Sequence, residues 1–295
     1  MILITGATGT VGSEVVKALL PTQAGNLRVL TRDPGAVFPD GAQKVVADLG
    51  DSELAPVLDG VHAVFSITHG LNIAAHDHRL VAAAQRAGVE RIVKLSVRNV
   101  GHDGTDPITT LHRAGEDAIR DSGIGWTFLR PTAFMSNALN WAGMIAADQV
   151  VYAPFAAGRA AVVDPADIAA VAAVCLTQDG HNNRVHELTG PEPLSPADQV
   201  TLLGEVLWRD LSYVEADPAG MVAQMVSYGM PEEQAQAVTE LFRSTMEPYN
   251  SEPTDAVTAV TGRPARSFID WAKAHRAEFP TPDAVQDAAT IEESR

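Results

Sequence analysis

Short apolar runs without polar alternation recur along the chain, and most are followed by longer stretches in which apolar residues return every three or four positions. The runs have the character of strands buried on both faces of a parallel sheet, and the longer stretches that of amphipathic helices. The first run, Ile2 to Ile4, meets glycines at 6, 9 and 12, after which Val15, Val16, Ala18, Leu19 and Leu20 follow at helical spacing until Pro21 closes the helix. Further strands are expected at Leu27 to Thr31, Lys44 to Ala47, Val61 to Ile67, Arg91 to Ser96 and Trp126 to Arg130. Helices are expected over 71–87 and from Asp106-Pro107 to Ser122-Gly123. Strands alternating with helices in this way predict an α/β doubly wound sheet. Past Pro131 a short strand led by Gly158, Arg159 and Ala160 into Asp164-Pro165, an apolar helix from Pro165 to Leu176 and a strand at Val185 to Leu188 are expected. Beyond Gly190-Pro191 the character changes. Helices start at Ser195-Pro196 and Asp217-Pro218 with a strand at Leu211 to Val214 between them, and helical periodicity returns over 232–243 and 265–277. The acidic, alanine-rich tail from Pro280 is expected to fray.

The glycines add chemistry to the first of these units. Gly6 permits a tight turn, Gly9 lets a backbone approach a pyrophosphate, and Gly12 lets helix and strand pack closely, so that the helix N-terminus faces a phosphate. Directly after a strand, this spacing points to a dinucleotide site. About 20 positions beyond such glycines an acidic residue would hold the ribose 2′-hydroxyl of NAD. Thr31 and Arg32 stand there instead. A guanidinium pairs with a 2′-phosphate that a carboxylate would repel, so NADP(H) is the expected cofactor. Asp48, beside Leu49, is placed either to accept from the adenine amino group or to cap a short helix after Gly50. Ser66, Ile67 and Thr68 end their strand where open parallel sheets bind ligands, and Ser96 ends the next one.

Charge and cysteine content narrow the setting. The formal net charge of −16 speaks against nucleic acid or an anionic membrane as a main partner. The one cysteine, Cys175, lies in an apolar run and suggests packing rather than catalysis. No signal peptide or membrane-length run fits, so a cytoplasmic monomer or homodimer is expected.

Candidate reaction chemistry is sparse. His69, His76 and His78 lack the spacing and companion ligands of a metal site, and no metal is expected. His112 and Glu116, four apart, share a helix face; they are either a proton donor or relay with its orienting carboxylate, or an ordinary exposed pair. Phe134, Asn137 and Trp141 follow Pro131 and suit either the covering of a flat ring or simple core packing. Met221, Met225 and Met230 add adaptable apolar surface.

The segments ITGATGTVG, TRDP, AAAQRAGVERIVKLS, SGIGWTFLRPTAFMSN, VVDPADIAAVAA and HELTGPEPLS resemble the NmrA-like group of atypical short-chain dehydrogenases, a likeness covering about residues 1–275. The resemblance implies a Rossmann-type domain over 1–135 with its sheet completed by about 160–190. It also implies a smaller, discontinuous α/β C-terminal lobe over 136–158 and 191–279 that binds substrate, with NADPH in the cleft and a flexible tail over 280–295. On it, Gly6, Thr8, Gly9, Thr10 and Val11 hold the pyrophosphate, Arg32 the 2′-phosphate, Ser66 to Thr68 lie along the ribose, and Pro131, Thr132 and Phe134 flank the nicotinamide. The tyrosine and lysine of typical short-chain dehydrogenases would align with His112 and Glu116. A glutamate cannot do the lysine's work of lowering a neighbour's pKa. The expectation is therefore a reductase that passes hydride directly to an electrophilic, aromatic or conjugated small molecule such as a quinone, imine or conjugated carbonyl. A non-catalytic NADP(H) sensor and a ketoreductase that uses His112 are the alternatives.

Overall fold

A computed structural model describes residues 1–50 and 53–280, so all but the first residue of the tail expected to fray lies outside the described residues. In chain order the elements are β1 (Ile2–Ile4), α1 (Thr10–Gln23), β2 (Leu27–Thr31), β3 (Ala42–Val46), α2 (Ala55–Leu58), β4 (Ala63–Ser66), α3 (Ile73–Ala87), β5 (Arg91–Leu95), α4 (Pro107–Asp121) and β6 (Gly125–Pro131). Then follow α5 (Ala142–Asp148), β7 (Val150–Ala153), α6 (Pro165–Thr177), β8 (Arg184–Leu188), α7 (Pro196–Leu207), β9 (Ser212–Glu215), α8 (Pro218–Ser227), α9 (Glu232–Arg243), α10 (Ala256–Thr261) and α11 (Phe268–Ala274). Local sequence explains several boundaries. Asp106 caps α4 by accepting from the Thr109 amide at 2.9 Å, and Gly88 ends α3 in the left-handed conformation at φ 73°. Helix α1 runs on through Pro21 to Gln23 rather than stopping before it. The proline sits in the last turn, where its missing N–H removes the one intrahelical bond that the Lys17 carbonyl would accept from position 21.

The chain divides into two compact units. The first comprises Met1–Thr132, Pro165–Thr189 and Thr254–Pro264, and holds a seven-stranded sheet in the order β3-β2-β1-β4-β5-β6-β8. Every pairing in it is parallel. The order reverses at β1 and β4, which makes the carboxyl ends of those strands the place where such sheets take ligands. Leu3, Leu58, Val64, Ala84, Ile92 and Phe128 belong to a core of this unit. The segment 254–264, expected in the C-terminal lobe, returns to this unit instead. There α10 packs against α6, and Thr254 joins β8, its hydroxyl donating to the Glu187 carbonyl at 2.6 Å.

The second unit comprises Ala133–Asp164, Gly190–Pro253 and the described residues from Ala265 to Pro280. Its strands β7 and β9 form a two-stranded parallel sheet. The strand expected to lead from Gly158 into Asp164 is reduced to isolated bridges, Ala160 with Leu194 and Val163 with Phe134. Phe268 and Trp271 are fully buried at its centre, and Trp271 stacks on His275 with ring centroids 4.7 Å apart. No described helix is long and apolar enough to cross a membrane.

Candidate active site

The turn between β1 and α1 owes its shape to its glycines. Gly6 has φ +60°, and a side chain there would press on Ile67, 3.0 Å from the added Cβ. A Cβ on Gly12 would collide with the Gly6 carbonyl oxygen, so only glycine lets the first turn of α1 close on the loop. Thr8, Gly9 and Thr10 are exposed while Val11 is buried beneath them. Gly9 starts α1 with no side chain capping it. The amides of that first turn therefore face outward over a small-residue loop, a form that accepts a phosphate. Opposite, Thr5 holds β4 in register, its hydroxyl accepting from the Ile67 amide at 2.7 Å.

Arg32 and Asp48 lie at the carboxyl ends of neighbouring strands β2 and β3. The Arg32 side chain is 68% exposed, and its guanidinium stands 3.8 Å from the Asp48 carboxylate. The other Asp48 oxygen accepts from the Gly50 amide at 2.7 Å, so Asp48 shapes its own loop as well as facing Arg32. His69 belongs to the same edge: burial, helped by the Arg32 charge, lowers its imidazole pKa. Leu49 is half-buried and packs against the core.

Several side chains expected to meet the cofactor are committed elsewhere. The Ser66 hydroxyl is fully buried and donates to Asp77 at 3.3 Å. The Thr68 hydroxyl bonds Asp77 and accepts from the Lys94 ammonium at 3.1 Å. Asp77 and Lys94, both without solvent contact, pair at 2.7 Å. Gly115 of α4 makes room for this pair, since a Cβ there would collide with the Asp77 carboxylate. Ser96 donates to Glu116 at 2.7 Å. What these positions can offer a nucleotide is main chain at strand ends rather than hydroxyls. Pro131 ends β6 opposite Leu188, and the Thr132 amide donates to the Leu188 carbonyl at 3.0 Å.

His112 and Glu116 are not partners. The Glu116 carboxylate is fully buried and is held by Arg130 at 2.6 and 2.9 Å, by Arg120 at 2.8 Å and by Ser96. The expectation of Glu116 orienting His112 is thus corrected: two guanidiniums compete for it and win. His112 is buried, its Nδ1 has no hydrogen-bond partner, and burial, reinforced by Lys94, holds its pKa well below the ordinary histidine value. At neutral pH it is an uncharged imidazole, able to give or accept a hydrogen bond but a poor proton donor.

The second unit contains a pocket of about 770 Å³. Phe134, Asn137 and Trp141 line it together with Phe155, Tyr228 and the three methionines of the α8 region, Met221, Met225 and Met230. No Asp, Glu, Lys, Arg or His is among its lining residues. Phe134, expected to touch both cofactor and substrate, is thereby placed on this cavity. The polar groups present are uncharged amides and hydroxyls, including Asn140, Gln199, Gln224 and Thr245.

A parallel sheet with this glycine turn at its switch point, lacking the tyrosine and lysine of typical short-chain dehydrogenases, is the framework of an atypical short-chain dehydrogenase, an NAD(P)H-dependent oxidoreductase. More narrowly, the chain belongs to the NmrA-like family, whose model it matches over residues 1–283. A (4-alkanoyl-5-oxo-2,5-dihydrofuran-3-yl)methyl phosphate reductase of Streptomyces griseus subsp. griseus is 41% identical, the match covering 95% of this chain and 99% of that one. An NAD(P)H azoreductase of Xenophilus azovorans is 35% identical over the same shares of the two chains. Among solved structures, the NADPH complex of an Escherichia coli NADPH-dependent quinone oxidoreductase superposes with a TM-score of 0.81 at 26% identity, covering 93% of this chain and 99% of that one.

Proposed function

We propose that the protein is an NADPH-dependent reductase that delivers hydride directly to an uncharged, conjugated or aromatic acceptor: a quinone, an imine or a conjugated carbonyl. The observation that carries this reading is the pocket wall, which has aromatic and thioether surface, a few amides and no charged side chain. Such a wall binds a flat apolar ring and turns away a free anion or cation, which would lose its hydration without gaining a counter-charge. When bound, NADPH supplies the hydride. Gly6, Gly9 and Gly12 leave backbone room for its pyrophosphate, and Arg32 offers a guanidinium to its 2′-phosphate.

The buried, neutral state of His112 bears on the kind of acceptor. A simple ketone needs a strong proton donor as hydride arrives, and a neutral imidazole supplies little acidity. Quinones and enones delocalise onto a conjugated oxygen the negative charge that hydride brings, so the product can take its proton from water. Positioning of the two reactants then supplies most of the rate. This favours direct reduction over the ketoreductase reading. The relative from Streptomyces griseus is named for a substrate with a carbonyl-conjugated ring double bond, which suits the same electrophilic class. Its phosphate group has no counter-charge among the pocket-lining residues of this chain, so we propose that the pocket takes the uncharged body of its acceptor.

The test is NADPH oxidation by the purified protein across a panel of quinones, cyclic imines and enones, with cofactor deuterated at the transferring position. The expected result is turnover with at least one class and a primary isotope effect, with deuterium retained at the product carbon where the acceptor is an imine or an enone. Tight NADPH binding with no turnover anywhere in the panel would overturn the reading and leave an NADP(H) sensor in its place.

A further inference from the structure

We infer that Cys175, His181 and His186 form a zinc site at the amino end of the first unit's sheet, opposite the end that carries the glycine turn. Cys175 lies in the last turn of α6, His181 in the loop between α6 and β8, and His186 in the middle of β8. One ligand atom from each, the cysteine sulfur and a ring nitrogen of each histidine, lies within 4.8 Å of the other two. Tetrahedral bonds of about 2.0–2.3 Å to zinc put donors roughly 3.5 Å apart, so small rotamer changes close the three on one ion. A thiolate with two imidazoles is a donor set that favours zinc over hard cations, and it leaves a fourth position for water.

Two features make this more than a chance grouping. The loop is pinned in place: the Thr127 hydroxyl donates to the His181 carbonyl at 2.7 Å, and the Asn183 amide donates to Trp126 at 2.6 Å with Asn183 at φ 59°. A short loop that folds back on β6 in this way holds His181 over His186, their rings edge to face with centroids 5.7 Å apart. Secondly, the Nε2 atom of His186 is buried without a hydrogen-bond partner. A buried ring nitrogen left unpaired is costly, and a metal ion satisfies it.

The surroundings tolerate a cation. One fixed positive charge near the cluster is Arg91, whose guanidinium is spent on the carbonyls of Cys175 and Gln178 at 3.4 and 2.9 Å and on Asp179 at 3.1 Å. Arg184 adds a second positive charge near the histidines. Asp179 offsets the charge of Arg91, and the thiolate, deprotonated outright on coordination, offsets part of the zinc ion's own charge. The site would tie the end of α6 to β8, the outermost strand of the sheet.

Chelator-treated protein titrated with zinc chloride alone tests the proposal. One ion per chain is expected, and cobalt(II) in its place is expected to show a thiolate-to-metal charge-transfer band with the intense visible absorption of tetrahedral coordination. Cys175→Ala and His186→Gln should each weaken zinc by more than the roughly 10–100-fold that loss of an outer partner costs, while NADPH affinity stays unchanged. Absence of stoichiometric binding, a cobalt spectrum without the thiolate band, or zinc affinity retained in both variants would overturn it. The cobalt spectrum of the unaltered protein decides the matter if either variant fails to fold.

Discussion

Arg32 and Asp48 make opposite demands on a 2′-phosphate, and replacing them separately measures both. At 3.8 Å the two side chains attract each other, by roughly 1 kcal/mol in bulk water and about 4 kcal/mol at an effective dielectric of 20. With side-chain exposures of 68% and 38%, they lie toward the watery limit. A phosphate carrying about −1.5 to −2 charge at similar range then gains roughly 1.5–2 kcal/mol from Arg32. Arg32→Ala should therefore lower kcat/KM for NADPH by about 10–30-fold and leave NADH within about threefold. Asp48→Asn keeps the oxygen that accepts from Gly50 but removes the charge. It should raise the preference for NADPH by up to about tenfold, because the phosphate no longer shares Arg32 with a rival anion. Both effects should shrink in about 1 M salt, where the screening length falls to about 3 Å. The assay is steady-state kinetics with each cofactor against one acceptor, supported by cofactor titrations in its absence. Equal losses on NADPH and NADH in Arg32→Ala, or a fall in NADPH preference in Asp48→Asn, would refute the assignment.

Other outcomes follow from the same geometry. Because the folded state resists protonation of His112 while the unfolded chain takes up that proton near pH 6.5, the unfolded state binds more protons in mildly acidic solution. Stability should decline as pH falls from 7.5 to 5, and His112→Asn should flatten that decline in thermal melts, identical slopes counting against it. Lys94→Met strands the fully buried Asp77 carboxylate and should cost about 3–5 kcal/mol in denaturant unfolding, whereas the Asp77→Leu, Lys94→Met double variant should cost clearly less than the sum of the two singles. Gly12→Ala should weaken NADPH binding and destabilise the first unit by roughly 1–3 kcal/mol, as its Cβ has nowhere to go but into the Gly6 carbonyl; a variant with unchanged Kd and Tm contradicts the packing argument. Trp141→Ala removes an aromatic wall of the pocket and should raise KM for ring-shaped acceptors by roughly tenfold, with no change in NADPH affinity by direct titration.

The fold of the first unit was legible wherever one local signal sufficed. The apolar runs that became β1, β2, β5 and β6 are buried and so carry no polar alternation to confuse them, and Asp-Pro or glycine marks the helix ends. What escaped depended on distant partners. The segment Ala256–Thr261 is rich in β-branched residues that favour helices poorly, and it is helical because it packs on α6 in the returning segment of the first unit. Strand β7 is a run of four residues whose pairing, among the described residues, is with β9, some sixty positions later. Neither partnership is written in the local sequence.

The site divides along the same line. Glycine and Arg32 announce themselves because a backbone conformation and a solvent-facing charge are properties of single residues. Ser66, Thr68, Ser96 and Glu116 mislead because hydroxyls and carboxylates at strand ends and helix faces serve a ligand or a buried ion pair equally well, and only the packing says which. Yet a signal for the second use was present. Lys94 stands within Arg91–Leu95, a strand otherwise apolar after its first residue, and a lysine in the middle of a buried strand requires a carboxylate within reach. Asp77, on the alanine-rich helix before it, is the residue that answers. Once that pair is in place, Lys94 also bears on the state of His112: burial does most to keep the imidazole neutral, and the ammonium charge reinforces it. The lysine that typical short-chain dehydrogenases place four residues after their tyrosine is therefore not merely missing from this chain. A different lysine, on a different element, adds to the cost of charging the His112 imidazole, which on the proposed function favours an acceptor that hydride can reduce without a strong acid beside it.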